Sequence, residues 1–249
     1  MGLRDILIAA LLVAGTAAPT MAADPWADCQ AQQNEQEALQ ACTQIVDAKR
    51  EPPLRLAQAY NLRAVVHQRM SQPDKAIGDF SQAIQLMNDA GKSDWELAFT
   101  YFMRANTYRA KGDLDQAIAD HSQSIRIAPN WDKSYNDRGA IYFQKGDLPR
   151  ALEDISKVIS FRPDSPRVAE SYAIRALLLQ RMGRPAEGLP DADRAIALNG
   201  RSAMALYIRA KIYEALGRAE DAAAGFRAAL QIDPRIGEQM NAMERVGRP

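Results

Sequence analysis

A recurring 34-residue pattern constrains this chain more than any single residue does. Small residues fall in step at Ala64, Ala105, Gly139, Ala176 and Ala210. Three residues after each stands a larger packing side chain: His67, Tyr108, Tyr142, Leu179 and Tyr213. Twelve residues after each stands a second small one: Ala76, Ala117, Ala151, Gly188 and Ala222. Self-similarity at this period is the signature of stacked helical hairpins, each too small to bury its own apolar face. Nothing in these segments alternates with period two, so strands are not expected.

Local signals agree with hairpins. Lys111-Gly112 closes a first helix, because Gly accepts the left-handed conformation that ends one. Asp113 then stands where an N-cap belongs, and Gln116 completes capping-box spacing. Gly146-Asp147, Gly183-Arg184-Pro185 and Gly217 punctuate the later repeats at the same place. Small residues at two facing positions let paired antiparallel helices approach closely, and the larger side chains fill the space beside them.

The N-terminus reads as a secretory leader: Arg4, an apolar run from Ile6 to Ala18, and small residues around Ala22. Cleavage is expected after Ala22, giving a leader over 1–22, with Ala23 the second choice. The apolar run is too short for a membrane-spanning helix, and no later segment is apolar enough to be one. The expected location is the periplasm of a bacterial envelope, with secretion as the alternative. Export gives meaning to Cys29 and Cys42, the only cysteines, which lie in a segment (23–56) that reads as a degenerate helical hairpin. A disulfide across that hairpin is one reading; a redox or metal-binding pair is the other. The spacing is far from C-x-x-C and no His lies nearby, which favours the structural bond. Acidic and basic residues balance at 31 each, which disfavours a general nucleic-acid or anionic-membrane binder.

These residues resemble the tetratricopeptide repeat family, whose repeat carries small, aromatic, Ala, aromatic, Ala and Pro at fixed positions. The resemblance covers about 70 % of the chain, in five repeats over 57–90, 98–131, 132–165, 169–202 and 203–236. The last matches best, with Ala210, Tyr213, Ala222, Phe226, Ala229 and Pro234; the fourth is weakest, with Leu179, Gly188 and Ala192 as departures and Gly200 where Pro is expected. The fold implied is an all-α, right-handed α-solenoid, closed by a capping helix and tail over 235–249. The function implied is noncatalytic: a scaffold or adaptor that takes a protein segment in its concave groove. Carried over by register, the groove is lined by Phe99, Phe102, Asn106 and Arg109, then Lys133, Asn136 and Phe143, then Arg181, Tyr207 and Lys211. Phe99, Phe102, Phe143 and Tyr207 are not required by the repeat pattern, which makes them the expected peptide contacts. The competing reading packs Phe99 and Phe102 against the irregular stretch around Trp95. Some family members clamp a C-terminal carboxylate with Lys and Asn pairs, but Val65, Met103, Asp137 and Ile174 occupy the needed positions here. Self-association through the groove or an open end is the alternative function.

Two further series invite chemistry. An Arg precedes every first small residue (Arg63, Arg104, Arg138, Arg175, Arg209), and sixteen residues later come Asp79, Asp120, Asp154 and Asp191, with Gly225 breaking the series. One reading is a basic stripe for an acidic ligand. The other, favoured by the co-recurrence of opposite charge, is a ladder of ion pairs, within repeats or between them. His67 and His121 occupy packing positions, in no cluster of metal-binding spacing. With no nucleophile elbow, phosphate loop or H-E-x-x-H motif, no catalytic residue, cofactor or metal is expected.

Overall fold

The structure, a computed structural model, describes residues 24–31 and 34–245, so the expected leader lies outside the described residues. Those residues form thirteen α-helices and a short 3-10 turn, with no strand among them. Helices α1 (Pro25–Ala31) and α2 (Glu35–Ala48) make the N-terminal hairpin. Five helix pairs follow: α3 (Pro53–Arg69) with α4 (Pro73–Asp89), α5 (Trp95–Lys111) with α6 (Leu114–Ile127), and α7 (Asp132–Gln144) with α8 (Leu148–Phe161). After the turn Pro166–Val168 come α9 (Ala169–Arg181) with α10 (Pro185–Leu198), α11 (Ala203–Ala215) with α12 (Ala219–Ile232), and a last helix α13 (Ile236–Arg245). Consecutive helices pack as neighbours, which makes the chain an α-solenoid.

The turn inside each pair repeats one device. Gly112, Gly146, Gly183 and Gly217 all take positive φ, between 73° and 92°. The following amide donates back to the carbonyl of the packing residue: Asp113 to Tyr108, Asp147 to Tyr142, Arg184 to Leu179 and Arg218 to Tyr213. This closure satisfies carbonyls the helix end would otherwise orphan. The first pair uses the same closure, Gln72 to His67, but with Ser71 at φ 56°. Capping is less uniform than expected. Asp147 accepts from the Arg150 amide at 3.2 Å, whereas Asp113 makes no side-chain cap. Its carboxylate lies 3.5 Å from Lys111 Nζ instead, so the capping box anticipated with Gln116 is not formed.

Small residues sit where the paired helices touch: Ala64, Ala76, Ala105, Ala117, Ala151, Ala176 and Ala210 are all fully buried. Gly225 explains its own break in the Asp series. A Cβ there would come within 2.9 Å of Ala210 Cβ, so α12 approaches α11 too closely for any side chain. Two helices start earlier than the repeat register indicates. Pro53 supplies the first turn of α3, where a missing N–H leaves nothing unpaired. Asp94 caps α5 by accepting from the Glu96 and Leu97 amides, which draws Trp95 into the helix.

The N-terminal hairpin is held by Cys29–Cys42, with an S–S distance of 2.01 Å. Both cysteines are fully buried beside Ile45, Val46 and Ala59. Trp26 lies against α3 with Arg55 over its ring at 4.0 Å, and its indole donates to Glu51 at 3.0 Å.

Candidate functional site

The Arg–Asp series resolves into structure. Four of the five Arg residues grip the Asp of their own repeat with two donors: Nε and Nη2 of Arg138 reach Asp154 at 2.8 and 2.7 Å, and Arg63–Asp79, Arg104–Asp120 and Arg175–Asp191 repeat the fork at 2.6–2.8 Å. The third donor crosses to the preceding repeat: Arg104 Nη1 to Ser81 at 2.8 Å, Arg138 Nη1 to Ser122 at 2.9 Å, Arg175 Nη1 to Ser156 at 3.5 Å. In these four repeats carboxylate pairing is therefore within the repeat, and serine pairing crosses between repeats. The short two-point bond to Asp154 holds Arg138 as a cation against the opposing effect of burial, raising its pKa. Arg209, deprived of an Asp by Gly225, reaches back to Asp193 at 3.0 Å.

The histidines are packing residues. His67 Nδ1 lies 3.0 Å from Gln72 Oε1, and Nε2 lies 3.8 Å from Asp79. His121 is fully buried edge-on to Phe102, and neither ring nitrogen has a hydrogen-bond partner among the described residues. Burial, reinforced by Arg109 and Arg138, lowers its pKa to about 3, so it is neutral at ordinary pH. No group of three or more His, Cys, Asp or Glu side chains is placed to hold a metal among the described residues. None of the described helices is long and apolar enough to cross a membrane.

The groove residues divide into three sets. Phe99 and Phe102 belong to an aromatic cluster with Trp95 and Trp131: Trp95–Trp131 centroids are 4.3 Å apart and Phe102–Trp131 4.5 Å. Phe102 is half-buried there, while Trp95 and Phe99 stay exposed. The competing reading thus describes Phe99, which stacks on Trp95 at 6.2 Å, whereas Phe102 spends its face on Trp131. The second set is tied off by neighbours. Asn61 donates to Thr100 at 2.9 Å and Gln68 to Thr107 at 2.5 Å, while Asn106 lies near the half-buried Asp137. Burial pushes the Asp137 carboxyl above its usual range, against the pull of Arg109 and the nearby Asn136 and Asn106. Lys211 is paired with Glu214 at 2.7 Å.

The third set lines an open cleft. A cavity of about 240 Å³ is walled by Arg109, Asp137, Phe143, Glu170, Ile174 and Leu177, from α5, α7 and α9. It adjoins a more polar cleft of about 510 Å³ that takes in Lys133, Asn136, Phe161, Arg162 and Arg167. Arg181 lies over Phe143 at 4.7 Å, a cation–π contact that holds the ring at the wall. The segment Ser165–Val168, between the third and fourth repeats, helps to build this site. Its 3-10 turn, capped by Ser165 on the Arg167 amide at 3.3 Å, places extra residues between α8 and α9 and contributes Arg167 and Val168 to the wall. Tyr207 lies further along, edge-on to Phe226 at 5.0 Å and against Gly237 of α13. An apolar floor bordered by fixed charges suits a peptide side chain seated between helices.

Two sequence models described as tetratricopeptide repeat match the chain, one over residues 55–130 and the other over 102–166 and 175–235. A 65-residue stretch is 38% identical to the DnaJ homolog subfamily C member 7 homolog of Schizosaccharomyces pombe, covering 26% of this chain and 14% of that protein. The chain therefore spans about one-seventh of that relative's length. The fold is similar to the crystal structure of YrrB, described as a TPR protein with an unusual peptide-binding site: TM-score 0.65, 17% identity, 83% of this chain and 99% of that one. It is also similar to the crystal structure of MamA protein, at TM-score 0.62 and 16% identity over 73% of this chain and 94% of that one. At these identities the likeness is one of fold.

Proposed function

The chain belongs to the tetratricopeptide repeat family, a scaffold fold for protein interaction, and we propose that it is a noncatalytic adaptor that holds a partner's peptide segment in the cleft between α7 and α9. One observation carries the reading: the residues around Phe143, Ile174 and Leu177 surround open space, whereas on the first helix pair Asn61 and Gln68 are hydrogen-bonded to Thr100 and Thr107. A preformed helical cleft loses little conformational entropy on binding, which suits recognition. YrrB, similar in fold, is described as having a peptide-binding site, which supports peptide binding as a use of this fold. We place the protein outside the cytoplasm, on the apolar N-terminal run and the bonded Cys29–Cys42 pair.

The test is affinity capture from envelope extract with the full mature chain beside a Phe143→Asp variant of verified helicity. A partner retained by wild type and lost by the variant is expected. Equal retention by both would move the site to the Trp95–Phe99 aromatic patch or the convex face, and a stable dimer that hides Phe143 would replace the adaptor with self-association.

A further inference from the structure

The last helix does more than cover the last repeat. Ile236 and Met240 are buried, at 4% and 2% exposure, in the same core as Leu206 and Ile208. That much is what an end cap does. Met243, one turn further on the same face, is half-buried and lines the 240 Å³ cavity together with Arg109, Phe143 and Leu177. Those three residues belong to the second, third and fourth repeats, which a cap confined to the fifth would not reach. Glu238, Gln239, Asn241 and Ala242 face solvent. Helix α13 thus lays an i, i+4, i+7 apolar stripe along the concave side, with its tip in the cleft, the geometry by which an amphipathic helix occupies a groove.

We propose that α13 is a cis-bound ligand of the concave cleft, and that the partner segment the cleft accepts is an amphipathic helix presenting flexible apolar side chains at i, i+4 and i+7. This rests on the cleft being the binding site, and adds the chemistry of its occupant and a competition for it. Methionine suits the position because its unbranched thioether adapts to an irregular pocket. The tether is short: Ile236 follows a turn in which its amide donates to Asp233 at 3.1 Å and Gln239 donates to the Asp233 carboxylate at 2.9 Å. A tethered helix competes at high effective concentration, so an outside helix must displace the Met243 end to enter.

The experiment uses the full mature chain and a fluorescent peptide of residues 234–245. Met243→Asp, at a half-buried site, releases the tip without emptying the core, and Met240→Asp with Met243→Asp releases the whole helix. The peptide should bind Met243→Asp saturably and at least ~10-fold more tightly than wild type, and adding Phe143→Asp should abolish that gain. Equal affinity for wild type and Met243→Asp, or no binding to either released variant at unchanged helicity, overturns the proposal. A chain that ignores this peptide yet loses its captured partner on Phe143→Asp keeps the cleft and loses only the cis ligand. A chain whose partner survives Phe143→Asp loses the cleft itself.

Discussion

The two halves of this solenoid bury their interiors differently. From Tyr142 to Met240 one apolar cluster runs unbroken through the last three repeats and takes in α13. Ahead of it, the N-terminal hairpin and the first two repeats hold three small separate clusters. Polar groups fill the gaps there: Asn61–Thr100, Gln68–Thr107, and Ser124–Ser134 at 2.9 Å, with His67 and His121 at packing positions. A buried hydrogen bond adds only about 1 kcal/mol net, but leaving one unmade costs more, so such contacts fix register better than they add stability. The N-terminal half is thus specified by pairings, which take up part of its concave face. The C-terminal half is held by apolar burial, which leaves its concave face free to open a cleft.

Arg138 joins the halves, gripping Asp154 in its own repeat and Ser122 in the one before. Arg138→Ala strands a carboxylate that is 3% exposed, and should cost ~3–5 kcal/mol. Urea unfolding should then split into two transitions, the N-terminal half first; a single transition at the wild-type midpoint would erase the distinction. Arg209→Ala, whose partner Asp193 is half exposed, should change stability by under ~1 kcal/mol.

Disulfide loss should act on the N-terminal half alone. Cys29→Ser with Cys42→Ser reopens a 13-residue separation and should remove roughly 3 kcal/mol from the hairpin, read as early exchange of α2 amides with α9 unchanged. Thiol titration of the denatured wild-type protein should find no free thiol.

His121 makes the same half sensitive to acid. Its folded pKa of about 3 lies below the unfolded value of 6.5, so the unfolded chain binds the extra proton. Its contribution is intact above pH 6.5 and declines as pH falls toward 3. Wild type should therefore lose ~2 kcal/mol between pH 7 and pH 5, and His121→Phe should flatten most of that slope. His67, lowered by burial, leaves a residual dependence of the same sign. The smallest effect is at Ser71, which holds φ 56° where the other four pairs have Gly. Ser71→Gly should raise stability by ~0.5 kcal/mol or more, visible as a small rise in Tm.

Much of this was legible in the sequence. The small-residue period marked the helix pairs, and the Arg–Asp spacing marked the ladder, because both depend on contacts repeated inside one hairpin. The site was harder to read, because it depends on how hairpins stack. Register alone placed Asn136 on the groove but could not show that Ile174 and Arg167 would join it around an open cleft. It placed Phe99 and Phe102 among peptide contacts without showing how Trp131 draws Phe102 into a cluster. The missing cap at Asp113 reflects a competing lysine two residues away. The reach of Met243 into the cleft arises from the superhelical path, which no local pattern encodes.

The most direct test of the account is amide hydrogen exchange on the full mature chain with and without its captured partner. Binding should protect α7 and α9 while α13 exchanges faster, since the partner takes the place of the Met243 end. Protection confined to α3 and α5, or to the outer helices α4, α6 and α8, with α13 unchanged, would contradict it.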